Sequence, residues 1–359
     1  MNERKTIAVI GAGNGGQTMA AHLSFMGHKV RLYDRSPHKA EQLNSRKSIV
    51  LKGALELEGS IAQASSDLEQ VIEGAEIIMV TTTATAHRTI ASQIAPFLKD
   101  GQIIVLNPGR TCGALEFRNT LHDAGVDRRV YVAEAQTLIY ACRVIELGVV
   151  NVIGVKDKVL LAAYPASDTP YVIDRLKNIY PCFYSARNVL QTSFENVGAM
   201  FHPTVVLFNE AAIERGNDFY FYRDMTDGLA RMIEEADRER LAVAEAYGLS
   251  PIPVFDWISY AYNGVEGDTL CERLHNNPAY YEILAPKTIE CRQITEDIPT
   301  GIIPLAELGR AAGVPTPLFD SLIVMCSTLL NRNFYDEGRT LKRLGLDGLT
   351  KEEIIKKIN

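Results

Sequence analysis

The first half of the chain alternates short apolar runs with stretches of helical texture. Residues 6–10, 29–34, 76–80, 102–106 and 129–133 are short β-rich runs, mostly apolar apart from Lys29, Arg31 and Asp34 in the second. Strands of a parallel sheet covered on both faces read this way. Their alternation with helical segments predicts a doubly wound α/β domain of the Rossmann type. The stretch 48–61, with glycines at 53 and 59, predicts an extra pair of short strands. After about residue 187 the texture changes. Residues 225–248 place Leu229, Met232, Ile233 and Ala236 on one stripe of an amphipathic helix, with Gly248 as its stop. Helices are also predicted at 305–312, 318–330 and 351–358. The expected architecture is a mainly parallel Rossmann domain over 1–187 and a mostly α-helical domain over 188–359.

Composition narrows the class. The chain has 359 residues, long enough for two domains, with 47% hydrophobic and 23% charged residues. A formal net charge of -7 argues against a nucleic-acid partner, because an acidic surface repels the phosphate backbone. Six cysteines are scattered with no metal-binding spacing, so no metal and no disulfide framework are expected, and a reducing cytosol fits. No basic region leads into an apolar run near Met1, and no apolar stretch approaches the roughly 18 residues of a membrane span. A cytoplasmic enzyme without membrane contact is the expectation. A homodimer is expected as the commonest oligomer.

The most informative motif follows the first strand. Gly11-Ala12-Gly13-Asn14-Gly15-Gly16 is G-x-G-x-x-G, placed between a strand and a helix expected over 17–25. Gly11 permits a tight turn, Gly13 lets the backbone approach a pyrophosphate, and Gly16 lets helix and strand pack closely. The helix N-terminus then offers N–H groups to the phosphates, with Asn14 and Gly15 in the same loop. Asp34, at the end of the second strand, suits the adenosine ribose hydroxyls of NAD. Arg35, with His38 and Lys39 nearby, suits the 2′-phosphate of NADP. Both cofactors stay open. Thr82 and His87 beyond one strand, and Asn107 and Gly109 beyond another, are candidates to line the nicotinamide half, because ligands bind at the carboxyl ends of such strands.

A dehydrogenase must also exchange a proton, and histidine is the usual group. Of seven histidines, His202 is the best placed, in Asn196-Val197-Gly198-Ala199-Met200-Phe201-His202-Pro203 where the second domain begins. A carboxylate usually orients such a base, but pattern alone does not select one.

Several motifs together resemble the opine dehydrogenases of the octopine and nopaline dehydrogenase type, in particular their bacterial branch. They are Asn196 with His202-Pro203, the stretch 292–297, Gly301 to Gly309, Gly313-Val314-Pro315-Thr316-Pro317, Leu106-Asn107-Pro108-Gly109 and Tyr140-Ala141-Cys142-Arg143. The resemblance covers nearly the whole chain. It implies a helical second domain similar to the C-terminal domains of 6-phosphogluconate dehydrogenases, and a proton-transferring pair made of His202 and Asp297. It further implies that Arg292 binds a substrate carboxylate. An arginine fork suits that task, although an ordinary surface ion pair is the alternative. Arg143 is a second candidate anion ligand, with a pairing to Glu134 as its alternative. The implied reaction is NAD(P)H-dependent condensation of an L-amino acid with a 2-oxo acid, pyruvate foremost, to a secondary amine dicarboxylic acid. Two readings compete: a two-domain reductase of 2-oxo acids or ketopantoate, and a nucleotide sensor without catalysis.

Overall fold

The computed structural model describes residues 4–262 and 264–359. It divides into two compact units, one running to Ser193 and including Lys357–Asn359, the other spanning Phe194–Lys356. The parting thus falls a little beyond the change of texture near residue 187, and the last three residues belong with the first unit.

The described residues of the first unit form twelve strands. They are β1 (Thr6–Ile10), β2 (Lys29–Tyr33), β3 (Ser48–Gly53), β4 (Leu57–Ser60), β5 (Gln63–Ser65), β6 (Ile77–Val80), β7 (Ile103–Leu106), β8 (Tyr131–Ala135), β9 (Tyr140–Glu146), β10 (Val149–Val155), β11 (Val159–Tyr164) and β12 (Phe183–Ser185). Eight form one sheet in the order β12-β11-β8-β7-β6-β1-β2-β5. It is parallel throughout except where β11 runs against β8. The apolar runs are accounted for by burial: every residue of β6 and β7 is buried, as are Ile7 to Ile10 of β1. The fifth run was expected over 129–133; its strand lies two residues later, with Arg129 left exposed.

A smaller sheet, β4-β3-β10-β9, stands beside the first. The expected strand pair at 48–61 is its β3–β4 hairpin. The β9–β10 hairpin was not anticipated, because residues 140–155 alternate buried and exposed positions too irregularly for a period to show.

The second unit is helical. Its longest helix, Asp227–Ala246, buries Ala230, Ile233, Ala236, Asp237, Arg240, Val243 and Ala244. Leu229 and Met232, expected on that stripe, are only half-buried. The buried line instead contains an ion pair. Arg240 Nε donates to Asp237 Oδ1 at 2.7 Å, and its other nitrogens donate to the carbonyls of Phe194 and Ile252. Asp237 Oδ2 in turn accepts from the Val254 backbone at 2.7 Å, capping the approach to the helix Val254–Ala261. Each buried charge is therefore matched by fixed donors or acceptors, the condition under which burial is tolerable.

Removing one partner leaves the other charge stranded. Arg240→Ala should destabilise the helical unit by about 3–5 kcal/mol, read as a lowered midpoint in chemical denaturation followed by far-UV circular dichroism. A loss under about 1 kcal/mol, the scale of an exposed pair, would show that the network carries no weight.

Candidate active site

The strands of the larger sheet end in register: Ile10 pairs with Val80, Val80 with Leu106, and Leu106 with Glu134. The order reverses between β1 and β6, the switch point at which such sheets leave a crevice for ligand. The glycine loop leaves β1 there. Gly11 takes φ +105°, a conformation that favours glycine, and its N–H donates to the Tyr33 carbonyl at 2.9 Å. The following helix is Asn14–Phe25, beginning three residues earlier than expected, so Asn14, Gly15 and Gly16 form its first turn.

Why these positions are glycine follows from what a Cβ would meet. At Gly16 it would lie 1.6 Å from the Gly11 carbonyl oxygen, so the helix reaches the strand only without a side chain. At Gly13 a Cβ would meet nothing within 4 Å. Gly13 therefore answers to no packing demand within the protein, as expected where the backbone must admit a ligand. Gly13 is the helix N-cap, no side chain caps the helix and no acid sits in its first turn. Its leading N–H groups and positive dipole end suit a pyrophosphate. Asn107, at the carboxyl end of β7, is buried. Its Nδ2 donates to the Val105 carbonyl at 2.9 Å, while its Oδ1 is a buried acceptor with no partner among the described residues. These features fit a dinucleotide.

Other expected contacts have structural duties. Asn14 Oδ1 accepts from the Val144 backbone at 2.9 Å, tying the loop to β9. A Cβ at Gly109 would come within 2.4 Å of Glu134, which explains that glycine by packing alone. The side chain of Thr82 backs Gly11. The neighbouring Thr81, at the same strand end, holds the loop: its hydroxyl donates to the carbonyls of Ile10 and Gly11 at 3.0 and 2.9 Å. His87 is fully buried and packs edge-on against Phe117.

At the adenosine end, Asp34 Oδ1 accepts from the Ser36 backbone at 3.0 Å and Oδ2 pairs with Lys39 Nζ at 2.9 Å. Arg35 is exposed. The acid expected to receive a ribose and a cation expected to receive a phosphate are thus bonded to each other.

The second unit brings together His202 and Asp297, which lie 95 residues apart in sequence: Nδ1 is 2.7 Å from Asp297 Oδ2. His202 sits in the helix Gly198–Phe208, and Asp297 directly precedes a π-helical turn, Ile298–Ile302. Gly301 sets their spacing, since a Cβ there would press to 2.8 Å from the Ala199 side chain. Asp297 is 1% exposed and His202 18%. With Nδ1–H donating to the carboxylate, the neutral ring keeps its lone pair on Nε2. The Tyr222 hydroxyl is 3.3 Å from Nε2. Tyr222 stacks on Tyr280 with centroids 4.0 Å apart, and Phe221 meets the imidazole edge-on. Burial, and the neighbouring Tyr222 and Tyr262, hold the Tyr280 phenol well above its ordinary range, so it stays protonated. No periodicity marks this aromatic wall, and sequence reasoning missed it.

The two arginines differ from that pair. Arg292 opens a four-residue helix with its side chain 60% exposed, and its nearest carboxylate is Glu296 at 3.9 Å. Arg143 is exposed on β9 opposite Asn151. Glu134, by contrast, is buried and accepts from the Ala114 backbone and the Thr192 hydroxyl.

A phosphate-binding loop at the switch point of a doubly wound sheet, in a chain that also holds a carboxylate-oriented histidine, defines a dinucleotide-dependent dehydrogenase. Comparison with known proteins narrows this. Residues 185–330 match the NAD/NADP octopine/nopaline dehydrogenase alpha-helical domain. Residues 6–109 match the NAD-dependent glycerol-3-phosphate dehydrogenase N-terminus. The chain is 37% identical to an opine dehydrogenase of Arthrobacter sp. (strain 1C), covering 98% of each chain. Its fold is similar to that of octopine dehydrogenase in complex with NADH and agmatine (TM-score 0.82, 22% identity, 98% of each chain). It is less similar to a ketopantoate reductase of Ralstonia eutropha JMP134 (TM-score 0.63, 17% identity, 91% of this chain and 98% of that one). The chain belongs to the opine dehydrogenase family, NAD(P)-dependent oxidoreductases that act on CH–NH bonds. No helix among the described residues is long and apolar enough to cross a membrane, and no cluster of metal-ligating side chains occurs among them.

Two glycines separate packing from binding. Gly13→Ala should leave the melting temperature unchanged yet weaken NADH binding at least about tenfold by obstructing the phosphate. Gly16→Ala should lower both by forcing the helix off the strand. Fluorescence titration and thermal melts read the two effects, and a Gly13→Ala protein that binds NADH normally would remove the phosphate from this loop.

Proposed function

We propose that the chain condenses the amine of an L-amino acid with a 2-oxo acid, pyruvate foremost, and reduces the imine to a secondary amine dicarboxylic acid. The observation that carries the reading is the His202–Asp297 contact at 2.7 Å in a chain with a dinucleotide loop. The cofactor, when bound, supplies a hydride to the imine carbon. Gly11, Gly13, Asn14, Gly15 and Gly16 would hold its pyrophosphate, Asp34 or Arg35 its adenosine ribose, and Thr82, Asn107 and Gly109 would border its nicotinamide half.

His202 exchanges the protons. Condensation needs a neutral amine nitrogen, and loss of water from the carbinolamine needs a proton on the departing oxygen. Nε2 takes the first proton and returns one to the second. Asp297 fixes the ring through Nδ1 and stabilises the imidazolium formed in between, as a buried carboxylate does beside a histidine base. Arg292, exposed and with only a distant ion-pair partner, offers a planar fork to a substrate carboxylate. Arg143 is the second candidate for such an anion. The enzyme is proposed to be a cytosolic homodimer, in keeping with six cysteines that all remain free thiols.

The likeness to ketopantoate reductase supports the competing reading of ketone reduction without an amine. The test is cofactor oxidation with pyruvate, with and without L-amino acids, using NADH and NADPH in parallel. Oxidation that requires both substrates is expected, and oxidation with the 2-oxo acid alone would move the assignment to ketone reduction. His202→Ala should lower kcat about 10²–10⁴-fold, with NADH affinity unchanged by fluorescence titration. Full turnover in that variant would take His202 out of the mechanism.

A further inference from the structure

Lys156 follows β10, and its backbone N–H donates to the Ile139 carbonyl at 2.8 Å. Its side chain turns inward. Nζ donates to the Leu138 carbonyl at 2.7 Å and to the Thr137 hydroxyl at 3.0 Å. An ammonium has three protons to donate, and among the described residues no carboxylate pairs with this one. Burial pulls it down to about 8, with the nearby Cys142 as the one opposing influence. Cys142 is itself pushed up by burial and so remains a neutral thiol. A half-buried ammonium held by two neutral acceptors has a proton left to donate, and an anion completes the site.

Its place in the fold says which anion. Thr137 and Leu138 lie just beyond the carboxyl end of β8. The Leu138 side chain lies against the glycine loop, since a Cβ on Gly15 would be 2.8 Å from it. In the sheet, β2 with Asp34 lies on one side of β1, and β6, β7 and β8 on the other. A dinucleotide whose adenosine lies at Asp34 crosses the switch point and places its nicotinamide on the β6–β8 side. An anion received beside Leu138 is therefore on the reacting side of the loop. In the reaction proposed above, the carbon that accepts hydride carries the carboxylate of the 2-oxo acid as its direct neighbour.

We propose that Lys156 binds the carboxylate of the 2-oxo acid and selects 2-oxo acids over neutral ketones. The inference rests on the opine reading for its substrate. The other source of negative charge near the loop is the dinucleotide's own phosphate.

The experiment compares wild type, Lys156→Gln and Lys156→Arg. Oxamate, an uncharged-amide isostere of pyruvate that keeps the carboxylate, is titrated into the enzyme–NADH complex and followed by nicotinamide fluorescence. NADH affinity and the KM for pyruvate with an L-amino acid are measured alongside. Lys156→Gln should weaken oxamate binding and raise that KM about ten- to a hundredfold, the scale of a charge-assisted hydrogen bond. NADH affinity should hold, which also shows that the first unit is folded, and Lys156→Arg should recover most of the loss. In the wild type, oxamate affinity should decline as pH rises through about 8, because only the ammonium pairs with a carboxylate. Unchanged oxamate binding in Lys156→Gln overturns the inference, and so does a loss of NADH affinity alone, which would assign the lysine to the dinucleotide phosphates. Should the wild type reduce 2-oxo acids without any amine, the opine reading fails, while weaker oxamate binding in Lys156→Gln still upholds the lysine's role.

Discussion

A helix can offer its N-terminal N–H groups to a phosphate at the edge of a sheet only if it comes down directly onto the end of the strand before it. In this chain that approach is governed by the contact between Gly16 and the carbonyl of Gly11, where there is no room for even one methyl group. The rest of the dinucleotide edge is arranged around it. Thr81 pins the carbonyls of Ile10 and Gly11, Gln17 donates to Ala12 and accepts from Gly148, and Asn14 accepts from Val144. The loop is thus held from the sheet on one side and from the β9–β10 hairpin on the other. Its N–H groups point outward at little cost in ordering when a ligand arrives, which is what preorganisation means energetically.

The helical unit uses the same device for a different end. Gly301 lets the π-helical turn press against Ala199, and that spacing brings Asp297 to Nδ1 of His202. π-Turns recur where a helix must re-aim a functional group. Here the turn follows Asp297 directly, so the carboxylate leaves the helical ladder facing the imidazole. The aromatic wall of Phe221, Tyr222 and Tyr280 then confines the ring from its other side. A histidine held by a carboxylate at one nitrogen, with packed rings around it, would lose little freedom as the base proposed above.

Charges inside each unit divide into two kinds. Asp237 with Arg240, and Glu134 with its backbone and hydroxyl donors, are matched by the protein itself and serve the fold. Lys156 has only neutral acceptors, and Arg292 reaches solvent with a carboxylate no nearer than 3.9 Å. A half-buried cation short of counter-charge costs stability, and in the reading proposed above an anionic substrate would offset that cost at Lys156.

The strands, the glycine loop and the principal helices were legible along the chain because each depends on residues close in sequence. Apolar runs, a G-x-G-x-x-G between strand and helix, and an i, i+3, i+4 stripe are local signals. His202 stood out by its chemistry, but its carboxylate did not, and only resemblance to a family pointed to Asp297. Lys156 and Tyr222 carried no signal at all, and Asn107 and Gly109 did not reveal that one is bound to its own strand and the other shaped by Glu134. The contact of Asp34 with Lys39 likewise left the choice between two cofactors unreadable from residue types. Sequence by itself determined the order of elements, the phosphate loop and the candidate base, because periodicity and short motifs are written in neighbouring residues. Tertiary structure alone decided which carboxylate meets that histidine, which threonine holds the loop and which half-buried lysine has only neutral acceptors. Those relations join residues tens of positions apart, and their energies depend on distance and burial rather than on spacing along the chain.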